Sequence, residues 1–460
     1  MRVRSSTKRV LVRAFTPAYL LLCLGLGGAS AAGLLANLTL QLLALPILVA
    51  ALLRSETPVS AESRQLLAMA LLLVVVMLLQ LVPLPPGLWT NLPGRGEVVE
   101  GYRLLGQPLP WLPVSLAPQR TLAALLWLLP AFACLVSVAR LGLFRSSWIA
   151  VTLVGFAIVS VAVGSVQLGS GVGSPAYFYR FTNWGQAVGF FANANHLATA
   201  LLVTIPFAAA ILAGTLDRGR GSQRESAITV VTLATMAVLL VGLAISGSLA
   251  GIGLAVPVAG ASFLLVWLRK RRLPRWVAPA LGVAAVAGLA LVFSQPFGNN
   301  LTGENVRENS ESRYTSFSKS LAAAAKYAPV GSGSGSFLDV YRQGEDPARV
   351  TRTFMNHVHS DPIEIWLETG VVGIALMALL LAWWGRRTWA IWRQDQRDVY
   401  ARAATIASGA IMAHSFVDYP LRTAAISALF AVCLALMAKP RERQVRSRID
   451  RETEARHLVA

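Results

Sequence analysis

The chain is short of charge. Asp, Glu, Lys and Arg make up 14% of its 460 residues, where a soluble domain usually carries about 25%. That is too little to cover a soluble surface. With 55% hydrophobic residues and a mean hydropathy of +0.58, the composition points to a polytopic membrane protein. It excludes a disordered chain and a collagen-like repeat. Cysteine is scarce too: Cys23, Cys134 and Cys433 all fall within apolar runs. An odd count in such places argues against structural disulfides, a secreted disulfide scaffold and a zinc site. Acidic residues are the third shortage, 22 against 41 Lys and Arg, for a net charge of +19. Such a balance often marks nucleic-acid binding. Here the basic residues lie in short clusters between apolar runs, which is a topology signal, and no nucleic-acid partner is expected.

What the chain does have is a series of long apolar runs. We expect an all-α fold of about twelve transmembrane helices, each of roughly 17–25 residues. They fall near 17–33, 36–53, 65–84, 120–139, 147–169, 189–214, 226–246, 249–268, 276–294, 364–385, 402–418 and 421–438. The first run is followed by many more, so it reads as a span and not as a cleaved signal peptide. With alternating spans, 29 of the 41 Lys and Arg fall on one side, which places that side and both termini in the cytoplasm. The chain then divides into nine spans over 1–294, a long periplasmic loop over 295–363, three spans over 364–438 and a basic tail over 439–460. That tail should meet anionic lipid headgroups.

Two loops on the opposite side are long, and long loops in compact proteins are usually functional. The first, about 85–119, is rich in Pro, Gly and Trp and should be ordered at the membrane surface. In the second, Tyr314, Phe317, Leu321 and Ala324 recur at helical spacing, so an amphipathic helix is expected at about 312–327. Arg313, Ser316 and Ser320 would form its polar side. Pro329 and the run GSGSGSF (Gly331 to Phe337) end it. That run lacks the Lys of a phosphate-binding P-loop, so it reads as a flexible turn or at most a backbone anion nest. Asp361, Pro362 and Glu364 then resemble an N-cap, first and third helical position, opening the tenth span.

Chemistry concentrates around HSDPIEIWLETGVVG, residues 359–373. His359 sits beside a helix N-terminus, which favours a bound anion, and a histidine beside a bound phosphate is placed to serve as general base toward a hydroxyl. The bland alternative is an interfacial histidine without a task. Glu364 and Glu368 share a helix face near the membrane edge, where an ionisable group has a partner or a function; an ion pair with a loop arginine is the simple reading. Gly370 and Gly373 fit close helix packing. Lys and Arg on this side are few, and most lie in the second loop. Among them Arg307 and Arg313, with Arg180 before the sixth span, suit a diphosphate, which arginine binds through its planar fork. Asn193, Asn195 and His196 place polar groups at the mouth of that span, facing a cavity or bonding neighbouring helices. His357-Val358-His359 has metal-like spacing but too few accompanying ligands, so no metal is expected. No D-x-D pair for a nucleotide sugar is present, and no cofactor is expected.

Together these motifs resemble the bacterial O-antigen ligase and polymerase superfamily. His359, Ser360, Gly370 and Gly373 match that family's pattern of His, Asn/Ser/Gln, nine residues, Gly, two residues and Gly/Thr/Tyr. Arg313 with its helix and the APVGSGSGSF turn, the element FFANANHLA, and HSFVDYPLR (His414 to Arg422) are also similar, so the likeness spans roughly 175–425. One departure stands out. Where the family has Ser-Arg near mid-chain, this sequence has Ser246-Gly247-Ser248, so another arginine takes that place or the donor differs. The resemblance implies an inner-membrane glycosyltransferase that moves a glycan from undecaprenyl diphosphate to lipid A core or to another glycan. His359 would activate the acceptor, and Arg313 and Arg180 would hold the diphosphate. A transporter or flippase is the competing class, disfavoured by the missing repeat and by polar motifs at one face instead of midplane. A non-catalytic scaffold would leave His359 and the loop arginines unexplained.

Overall fold

A computed structural model describes residues 2–31, 34–53, 59–217, 222–268, 316–345, 355–393 and 398–438, with backbone alone at 2–11 and 222. Apolar runs become helices because hydrocarbon offers no partner to backbone N–H and C=O groups. The elements are α1 (Arg2–Leu26), α2 (Leu35–Leu53), α3 (Ala61–Leu79), β1 (Pro83–Leu84), α4 (Pro86–Trp89), α5 (Gly96–Leu104), β2 (Leu112–Pro113), α6 (Pro118–Trp127), α7 (Leu129–Ala139), α8 (Ser146–Ser170), α9 (Ala194–Leu216), α10 (Ser222–Ser246) and α11 (Leu249–Trp267). Residues 316–327 form α12. There follow α13 (Phe337–Gln343), α14 (Asp361–Arg393), α15 (Val399–His414), a 3-10 turn (Pro420–Arg422) and α16 (Ala424–Ala438). Strands β1 and β2 pair antiparallel within the first long loop.

The protein is an all-α, multi-span membrane protein. Among the described residues, eight helical stretches are long and apolar enough to cross a bilayer: α2, α3, α6 with α7, α8, α9, α10, α11 and α14. Twelve spans were expected. The run at 276–294 lies outside the described residues. The remaining difference has a physical reason. Helices α15 and α16, of 16 and 15 residues, reach only roughly 24 and 22 Å, short of a hydrocarbon core of about 30 Å. The apolar part of α1, Val12–Leu26, is similarly short.

Burial separates the inner helices from the outer ones. Helix α9 is 83% buried over its most apolar window, whereas α3 is 17% buried. Every residue of α16 except Ser427 is buried. Helix α9 packs against α8, α10, α11 and α15; α16 packs against α7, α15 and α1. The uncovered faces of α2, α3 and α10 carry Leu and Val, a surface that only lipid would cover.

Helix α14 is broken. Its 33 residues would span roughly 50 Å if straight, but Gly370 adopts φ +59 and ψ −147. A short outer arm, 361–369, is thereby set off from a membrane-crossing arm. The freed N–H of Val371 donates to Pro329 O at 2.9 Å. A Cβ on Gly370 would sit 2.0 Å from that same oxygen, so glycine serves both the left-handed backbone and the close approach.

The glycine-rich run is what docks at this break, and it corrects the flexible-turn expectation. Ser332, Ser334 and Ser336 are buried. The N–H groups of Ser332 and Gly333 donate to Leu367 O and Glu368 O, and those of Ser334 and Gly335 donate to Gln80 Oε1 and Glu368 Oε1. An anion nest needs free N–H groups, and these are occupied. Helix α12 differs from expectation in its inward face. Ser316, Ser320, Ala324 and Tyr327 are buried, while Leu321 is 40% exposed. Small serines let α12 approach Phe337, Val340 and Tyr341, and Phe317 packs partly buried against the same cluster. Helix α14 also begins one residue early: Glu364 N–H donates to Ser360 O, which puts Ser360 at the N-cap instead of Asp361.

Candidate active site

Four segments meet at one end of the bundle: the last turn of α1, the start of α9, the residues before α14, and the link from α15 to α16. Backbone bonds join them. Ala192 N–H donates to Gly28 O, Ala425 N–H to Gly27 O and Asp361 N–H to Ser415 O, at 2.9–3.0 Å. A Cβ on Gly28 would lie 2.1 Å from Phe190 O, so the junction closes only around glycine.

His359 stands at this junction with φ +59, the one non-glycine residue of positive φ among those described. That conformation costs an L-residue roughly 1–2 kcal/mol and persists only where the surroundings impose it. The imposed geometry puts Nδ1 3.0 Å from Asp418 Oδ1. An ionised carboxylate only accepts, so Nδ1–H donates, and in the neutral ring the lone pair then lies on Nε2. Burial pushes the Asp418 carboxyl upward, but the His359 hydrogen bond and the charges of His196, His359 and His414 prevail and hold it below the usual range. Its other oxygen is 3.9 Å from His196 Nε2, beyond hydrogen-bond reach. His414 lies behind, with Nδ1 2.8 Å from Thr199 Oγ1.

Tyr419 is the hub of the junction. Its ring lies 4.5–5.1 Å from the rings of His357, His359 and His196. Its hydroxyl meets the Asn356 amide at 3.2 Å and the Asn193 side chain. Burial, reinforced by the Asp418 charge, raises the phenol's pKa, so it stays neutral.

A second cluster adjoins the first. Arg422 reaches Glu368 at 2.9 Å, Asp361 at 3.4 Å and Glu364 at 3.5 Å. All three carboxylates are buried. Burial would lower the Arg422 pKa, but Glu364, Glu368 and Asp361 outweigh it and hold it above its usual value. Glu364 also accepts from Val358 N–H at 3.0 Å and pairs with His357 Nδ1 at 2.8 Å. The cluster thus fixes the segment that carries His359. Replacing Arg422 with Gln leaves buried carboxylates without their guanidinium and is expected to cost about 3–5 kcal/mol. Thermal unfolding of the detergent-purified protein measures this, and an unchanged midpoint would contradict it.

The sequence-predicted residues divide accordingly. His359, His196, Glu364 and Glu368 come together here. Asn193 caps α9, accepting from Asn195 N–H at 2.9 Å, and reaches Tyr419. Asn195 contributes that backbone group. Arg307 and Arg313 lie outside the described residues. Arg180 lies 5.6 Å from the Phe181 ring centre and enters no ion pair among the described residues. Its loop is tied to the junction by Tyr179 Oη, which accepts from Gly28 N–H. Two outer cations instead link the second loop to the first loop and the helix that follows it, Arg120 to Asp339 at 2.7 Å and Lys326 to Glu97 at 2.6 Å, while buried Arg95 bonds Val114 O within the first loop. Among the described residues no three His, Cys, Asp or Glu side chains group to hold a metal ion.

The sequence pattern gave no role to Asp418, Tyr419, Asn356 or His357. One signal was available: His414 and Asp418 are ionisable groups four apart beside an apolar run, where charge needs a reason.

Residues 234–378 match the family model described as O-antigen ligase. Over that part, the chain is similar to the O-antigen ligase family. The matched segment covers the second half of α10, α11, the second loop, His359 and the broken start of α14. The other half of the junction, with His196, Asp418 and Arg422, lies outside the family match. No curated protein matches the chain.

Proposed function

We propose that this protein is a membrane glycosyltransferase of the O-antigen ligase type, taking a glycan from undecaprenyl diphosphate and placing it on a hydroxyl of lipid A core. The reading rests chiefly on His359: a strained, partly exposed imidazole whose Nδ1 is held by a buried aspartate at the end of a helical bundle. That arrangement leaves Nε2 to take a proton from a hydroxyl. The acceptor oxygen forms a bond to the anomeric carbon as the carbon–oxygen bond to the diphosphate breaks. The electron pair leaves with the diphosphate and the hydroxyl proton goes to His359. Arg180, with Arg313 and Arg307 from the second loop, would hold the diphosphate, electrostatic help that builds with the leaving charge. Among the described residues the two histidine–carboxylate pairs sit together at one bundle end, which favours transfer over transport. The protein would lie in the bacterial inner membrane with both termini cytoplasmic and the junction facing the periplasm.

Deleting the gene in its host and analysing lipopolysaccharide together with the lipid-linked glycan pool tests this. The expected result is lipid A core without polymer, with long glycans accumulating on undecaprenyl diphosphate. Single repeats on core or carrier would mean a polymerase of the same superfamily. No change in either pool would overturn glycosyl transfer to this acceptor.

A further inference from the structure

The junction contains two histidine–carboxylate pairs, not one. His357 Nδ1 lies 2.8 Å from Glu364, much as His359 Nδ1 lies 3.0 Å from Asp418. In both, the carboxylate is 1% exposed and the imidazole is about a fifth exposed, at 19% and 18%. In both, Nδ1 is occupied, so Nε2 is the nitrogen that can face a ligand. His196 and His414 differ: each is essentially enclosed and cannot touch one. Two of the four imidazoles are therefore partly exposed, and both flank Tyr419.

Their charge settings differ. Asp418 stands as one carboxylate among histidines. Around His357, three buried carboxylates share one guanidinium, a setting richer in acidic groups. Arg422 is the nearby guanidinium, and its ion pairs go to those carboxylates. Ser246-Gly247-Ser248 supplies no arginine either.

We propose that His357 is a second catalytic imidazole, donating a hydrogen bond from Nε2–H to the leaving diphosphate while His359 accepts the acceptor's proton. This rests on the glycosyl-transfer reading above. No proton is lost by His357 in the step; its bond shortens as negative charge builds on the departing oxygen. The two rings then need opposite protonation states. The pH profile of transfer must therefore fall at both ends. The charged and titratable groups around His357 are Glu364, Asp361 and Glu368 on α14, Tyr419, Asp418 and Arg422 after α15, His196 on α9, and His359 two residues on.

The test uses purified full-length protein with undecaprenyl-diphosphate glycan and lipid A core, both extracted from the host lacking the gene. Wild type should give a bell-shaped kcat profile. His357→Gln should lower kcat at least about tenfold, keep its melting temperature and lose the alkaline decline, because an amide has no proton to titrate. Full activity, or a bell that persists, would overturn the role. If the variant does not fold, the wild-type profile decides: no decline up to about pH 9 overturns it. His359→Gln run alongside separates the two ideas. Activity in that variant sinks the glycosyl-transfer mechanism, whereas loss there with an unaffected His357→Gln sinks only this inference.

Discussion

Glutamine in place of His359 should reduce glycan transfer by at least about 10³-fold while the protein still folds and inserts. The side-chain amide can reach toward Asp418, so the buried carboxylate keeps a donor. What disappears is the lone pair at Nε2. An acceptor hydroxyl is a poor nucleophile until its proton has somewhere to go, and no other exposed imidazole at the junction has its Nδ1 held by Asp418. Alanine should be equally inactive but less stable, because Asp418 would then be buried without its hydrogen bond. Transfer assays and thermal unfolding of both variants check this. Wild-type rates in His359→Gln would remove the general base from the mechanism.

Asp418→Asn is the second large effect, and its cause is different. The asparagine amide is nearly isosteric, so packing of the α15–α16 link is retained. When its NH₂ faces the ring, the amide donates to Nδ1, which forces the imidazole proton onto Nε2. The base then points its hydrogen at the acceptor instead of its lone pair. The expected loss is about 10²–10⁴-fold in kcat with little change in KM, since neither substrate touches Asp418. A steady-state comparison across donor concentrations tests it. A rise in KM alone would mean that Asp418 serves binding, and an unchanged kcat would mean that the 3.0 Å contact has no part in catalysis.

Much of this was legible in the residues because it depends on local rules. Apolar runs of sufficient length must be helices in lipid, and Pro362 with Glu364 announced the start of α14 to within a residue. Glu364 and Glu368 were bound to share a face by their spacing, and an arginine partner for them was foreseeable from the cost of lone charges at a membrane edge. The partner's identity was not. Arg422 and Asp418 reach the site from the far end of the chain, and neighbours so distant leave no periodicity in a single sequence. Helix α12 shows a different limit. Counting apolar residues placed Phe317, Leu321 and Ala324 on its inward face and Ser316 and Ser320 on its polar side; Ala324 and Phe317 do pack inward, but both serines are buried and Leu321 is exposed, since a close helix crossing favours small side chains. The GSGSGSF run misled for a related reason: its glycines serve close approach to Glu368 O, Ser115 and Arg120 O, not mobility.

The most direct single measurement is the product balance of purified protein given undecaprenyl-diphosphate glycan and lipid A core. Wild type should release undecaprenyl diphosphate in step with glycosylated acceptor, and His359→Gln should release neither. Failure of the wild-type protein to release the lipid diphosphate, or equal release by the variant, would contradict a His359-dependent glycosyl transfer.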